Sequence, residues 1–70
     1  MNLSIRISKL RRRKQWTQAR LGMELGVSRD AVTKWECGTS VPHVDNIIAM
    51  CGVFNVDANH ILGVESREAS

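Results

Sequence analysis

Residues 17–38 read TQARLGMELGVSRDAVTKWECG, and the spacing of these letters decides the fold. Thr17 stands where a hydroxyl can accept the free amides at the start of a helix, and Leu21 and Leu25 then fall one turn apart on a buried face. Gly26 ends that helix, because glycine enters the left-handed region without steric cost. Only Val27 separates it from Ser28, a second cap, after which Val32 and Trp35 face inward from a helix over 29–36 that Gly38 stops. Asp30 in its first turn suits the positive end of the helix dipole. Two short helices joined so tightly must cross closely, so the facing position takes a small side chain, Gly22. Leu21, Leu25, Val27, Val32 and Trp35 supply their shared core.

Working outward, Leu3, Ile7 and Leu10 predict an amphipathic helix over 2–14, with Arg6, Lys9, Arg11, Arg12, Arg13 and Lys14 along or beyond its polar side. Downstream, Pro42 closes a loop, and Val44, Ile47, Ile48, Cys51 and Phe54 form the apolar stripe of a fourth helix. Asp57 caps a short fifth helix carrying Ile61 and Leu62 and ending at Gly63. One domain over 1–63 and a frayed tail over 64–70 follow from this reading. Trp35 is expected in the core, and Trp16 half-buried between the first helix and the fifth.

With 70 residues, of which 43% are apolar and 24% charged, the chain is a single small globular domain with no room for a deep cofactor cavity. No apolar run approaches the roughly 18 residues that span a bilayer, and the first ten residues lack a signal-peptide core, so a cytoplasmic protein without membrane contact is expected. Cys37 and Cys51 are too few for a disulfide framework and read as reduced thiols. The net charge of +3 conceals an asymmetry: residues 1–35 carry +7 and residues 36–70 carry −4. A basic half suggests a polyanionic partner on that side, although a solvated basic helix explains the same charges.

The chain resembles the Cro and phage-repressor type of helix-turn-helix regulators, also called Xre-like. The matching strings are RISKLR (6–11), WTQARLG (16–22), LGVSRDAVTKWECG (25–38), Pro42 and VDANHILG (56–63), which together reach from Arg6 to Gly63. The resemblance implies an all-α five-helix bundle that binds double-stranded operator DNA as a homodimer, with its third helix in the major groove, and represses or switches transcription. Carried over by position, base contacts fall to Arg29, Asp30, Lys34 and Thr33, and phosphate contacts to Thr17, Gln18 and Ser28. Arg12, Arg13 and Lys14, at the end of the first helix, are further phosphate candidates. Arg11 and Glu36 take the family's structural ion pair, and Phe54, Val56 and Ile61 are expected at a dimer interface.

Chemistry supports the choice of readers. Arg29 can donate two hydrogen bonds to guanine O6 and N7, whereas Asp30 only accepts and favours cytosine N4, each good pair discriminating by roughly 1–3 kcal/mol. Three positions and one loop depart from the family pattern. Gln15 replaces a common glycine and must hold a positive φ or end the first helix differently; Arg20 replaces the acidic partner of Thr17; His43 replaces a hydroxyl cap; and the loop over 37–44 has no Lys or Arg. Phosphate binding therefore shifts toward Arg12–Lys14. Cys37, His43, Cys51 and His60 match no zinc spacing, no catalytic constellation has support, and neither cofactor nor small-molecule ligand is evident. The competing reading is an antitoxin- or adaptor-like protein-binding module on the same fold, docking through Asp45, Asp57, Glu65 and Glu68 with Val53, Phe54, Val56 and Ile61.

Overall fold

The computed structural model describes residues 3–62. Among them lie five helices and no strand: α1 (Leu3–Arg13), α2 (Gln18–Leu25), α3 (Arg29–Cys37), α4 (Val44–Phe54) and α5 (Ala58–Leu62). The expected end of α5 at Gly63 and the tail over 64–70 lie outside the described residues.

Each helix start is set by a local hydrogen bond where the residue permits one. Thr17 Oγ1 accepts from the Arg20 amide at 3.0 Å, Ser28 Oγ from Ala31 at 3.1 Å, and Asp57 Oδ1 from His60 at 2.8 Å. His43 precedes α4 without a side-chain cap. Each of the first four helices ends on one left-handed residue, followed by an amide that reaches back across the last turn. Two of these residues are Gly26 and Gly38; the other two are Gln15 at φ 62° and Asn55 at φ 58°. Gln15 thus takes the first of its two expected options, and α1 closes through Trp16 N donating to Arg11 O at 3.2 Å.

α2 and α3 form the most closely joined pair, with α1 against α3 and α5, and α4 against α5 and α2. Their meeting faces bury Ile7, Leu10, Leu21, Val32, Trp35, Met50, Phe54 and Ile61. Gly22 is obligatory for a slightly different reason than helix crossing. A Cβ there would stand 2.8 Å from the Val27 carbonyl oxygen and 3.2 Å from Ser28, so the backbone of the turn itself presses on α2.

One sequence reading of the packing needs correction. In α4 the buried face is Ile47, Met50, Cys51 and Phe54, while Val44 and Ile48 are 68% and 64% exposed. At about 100° per residue, Ile48 is carried round the helix from Ile47, and Met50 takes its place inside. Trp16 is half-buried, and its ring meets Phe54 of α4 at 6.0 Å between centroids.

Gly22→Ala should lower stability by about 1–3 kcal/mol, because a backbone carbonyl cannot step aside as a side chain can. Gln15→Gly should raise it by about 1 kcal/mol by relieving the left-handed strain. Denaturant titration of both variants reads the two signs; a neutral Gly22→Ala would show that the turn can relax.

Candidate nucleic-acid interface

Glu36, near the end of α3, gathers the elements on which the candidate interface is built. Arg11 donates to it twice, Nε to Oε2 at 2.7 Å and Nη2 to Oε1 at 3.0 Å, and its Nη1 reaches the Trp16 carbonyl at 2.7 Å. Gln18 Nε2 donates to the same carboxylate at 3.1 Å. At its other end Gln18 Oε1 accepts from the Thr33 hydroxyl at 2.9 Å, a proton that Thr33 shares with the Arg29 carbonyl at 3.0 Å. One connected set of polar groups thereby fixes the end of α1, the first residue of α2 and the middle of α3 in one orientation. The Arg11 and Glu36 side chains are only 12% and 7% exposed, where a two-point guanidinium–carboxylate contact is weakly screened.

Burial alone would push the Glu36 carboxyl up. The bonds from Arg11 and Gln18 and the charges of Arg11 and Arg12 outweigh it, and the group sits below its ordinary 4.5. Its bond to Glu36 in turn raises Arg11, with burial opposing.

On the outer side of α3, opposite buried Val32 and Trp35, stand Arg29, Asp30 and Lys34, all exposed, with half-exposed Thr33 beside them. Among the described residues, none of the three charged side chains forms an ion pair. Thr17 and Ser28 each use an oxygen lone pair on a helix amide and keep the hydroxyl proton free to donate. Arg12, Arg13 and Lys14 are exposed at the end of α1, with Lys14 Nζ 5.6 Å from the Trp16 ring centre. Arg20 lies 5.0 Å from the same ring and pairs with Glu24 at 2.8 Å. The lost capping partner of Thr17 has thus become part of a clamp on Trp16.

The structure brings together the end of α1, the starts of α2 and α3 and the outer face of α3. It does not place the expected dimer residues on a common surface: Phe54 and Ile61 are 7% and 0% exposed, committed to the core, and only Val56 is partly accessible. The Gln18–Thr33 bond was not read from sequence; the fifteen-residue separation of two polar side chains carries no periodic signal. Among the described residues no helix is long and apolar enough to cross a membrane, and no three His, Cys, Asp or Glu side chains gather as a metal would need.

A helix-turn-helix family model matches residues 7–61. The HTH-type transcriptional activator BcrR of Enterococcus faecalis is 32% identical over 65 residues, covering 93% of this chain and 32% of the relative. The HTH-type transcriptional regulator YqaE of Bacillus subtilis is 31% identical over 62 residues, covering 89% of this chain and 53% of the relative. The chain thus spans about a third and about half of the length of these curated relatives. Among solved structures, the P22 c2 repressor protein in complex with a synthetic operator superposes with a TM-score of 0.85 at 26% identity, over 93% of this chain and 98% of that one.

Because Glu36 is held below its unfolded-state value, the stability it contributes is fully present above about pH 4.5 and is lost as pH falls through the depressed folded value. Glu36→Gln should therefore cost about 1–3 kcal/mol at neutral pH, and denaturant midpoints of the two proteins should converge in acid. A gap that persisted in strong acid would exclude the ion pair as its source.

Proposed function

The chain belongs to the helix-turn-helix family of the Xre and phage-repressor type, and from that membership we propose that it is a sequence-specific, double-stranded-DNA-binding transcriptional regulator of the cytoplasm. The observation that carries the reading is the outer face of α3. Its charged side chains are left without intramolecular partners on a helix whose orientation is fixed from behind by Gln18 and Glu36. A major groove admits one helix, and hydrogen-bonding side chains in the first turns of that helix meet base edges.

In this reading Arg29, Asp30 and Lys34 contact bases and the Thr33 methyl offers a thymine contact, since the Thr33 hydroxyl is engaged with Gln18. Thr17, Gln18, Ser28, Arg12, Arg13 and Lys14 contact phosphates, and together they set the register of α3 along the groove. The protein binds as a homodimer on a roughly palindromic operator, half-sites one DNA turn apart, and represses by covering it. The contact between copies passes to Val41, in the loop after α3, and to Val44 and Ile48 of α4, which are 74%, 68% and 64% exposed. Three side chains fall well short of the roughly 800 Å² per partner that a stable complex buries, so the second copy pairs here on DNA and not free in solution.

Selection from a random duplex pool at physiological salt should enrich an inverted repeat, and Arg29→Ala should relax it at symmetric positions. Arg13→Ala should weaken binding to every sequence and flatten the salt slope by roughly 0.9. Replacing Val44 and Ile48 by Asp should spare half-site binding while abolishing cooperativity between half-sites. No enrichment by the wild type would favour the antitoxin- or adaptor-like alternative.

A further inference from the structure

Arg6, Lys9 and Arg13 recur at intervals of three and four along α1 and share one flank. At about 100° per residue that flank lies roughly 140–160° round the helix from Arg11, whose guanidinium turns toward Glu36 of α3. With Leu10, Arg12 and, from α5, His60, these residues line a groove of about 480 Å³ between α1 and α5. Among the described residues no carboxylate lines it, and Arg6, Lys9 and Arg13 form no ion pair. Like charges at this spacing work against the helix that carries them, and of the three only Arg13 lies in the last turn, where the helix dipole favours a cation. The Arg6 Nε is sealed from solvent yet has no hydrogen-bond partner. Buried donors are ordinarily satisfied, and this one belongs to a guanidinium that lines the groove among unpaired cations.

We propose that this groove is a binding site for a small phosphomonoester with a ring-bearing body, nucleotide-like in size. The cations supply charge-assisted donors for the phosphate, Arg6 and Arg13 in the forked geometry that suits it. Leu10 and the aliphatic stems of Lys9 and the arginines supply an apolar wall for the ring, and the volume falls within the range of small-ligand pockets. Arg6, Lys9 and His60 are not among the candidate DNA contacts, whereas Arg12 and Arg13 serve both readings; the site stands whether or not the DNA reading holds.

The test titrates the DNA-free protein, at constant ionic strength, with adenosine monophosphate, inorganic phosphate and adenosine, followed by amide and side-chain NMR. Adenosine monophosphate should shift Arg6, Lys9 and His60 saturably, phosphate should shift the same residues more weakly, and adenosine should shift none. Lys9→Gln and His60→Ala, both at exposed positions, should each weaken the nucleotide roughly threefold to tenfold. Lys34→Ala, which removes an exposed cation from α3, should leave it unchanged. Shifts centred on Thr17, Ser28 and Arg29, indifference to Lys9→Gln, or no saturation by about 10 mM would each overturn the proposal.

Discussion

The carboxylate of Glu36 is the point at which the first three helices become one object. Helices of eight and nine residues are too short to be stable alone, and the apolar contacts between them would tolerate some sliding. A carboxylate that accepts from α1 and α2 while belonging to α3 removes that freedom, because each bond is directional and each partner is itself anchored. Arg11 cannot swing away without releasing the Trp16 carbonyl, and Gln18 cannot do so without releasing Thr33. What the arrangement contributes beyond stability is a fixed angle for the outer face of α3.

The order and ends of the helices were legible in the chain because they depend on neighbours in sequence. Thr17, Ser28 and Asp57 cap within three residues of themselves, and Gly26 and Gly38 mark left-handed closures by composition alone. What was not legible depends on partners brought together by folding. The inner face of α4 could be drawn through Ile48 or through Met50, and only the placement of α2 and α5 against it decides for Met50. The same holds for Phe54 and Ile61. As a pair of apolar residues near the end of a small chain they read as a surface for another copy, whereas the chain spends them on its own core. At the candidate interface, the family resemblance carried over by position pointed to Arg29, Asp30 and Lys34, but the Gln18–Thr33 contact behind them spans two helices and leaves no periodic trace.

Charge and packing divide along the chain. The basic first half contains the whole of α1, α2 and nearly all of α3, and the acidic second half holds α4 and α5. The elements that complete the core therefore add little positive field of their own, while those that carry the candidate interface concentrate it. A dipolar protein of this kind is turned by a polyanion's field before contact, which raises the rate of productive encounter more than the final affinity. The clamp of Lys14 and Arg20 on Trp16 keeps two of these charges near the start of α2 without pairing them both to acids.

The outer residues of α3 differ in how deeply they are tied into the molecule. Arg29, Asp30 and Lys34 hold nothing in place, so a change at any of them alters what is presented and leaves the scaffold standing. Thr33 is both presented and load-sharing through Gln18. A lineage of such chains can drift to new binding preferences one residue at a time at the first three positions, each intermediate still folded. A change at position 33 also removes the bond to Gln18, so it alters the support of the surface together with what the surface presents.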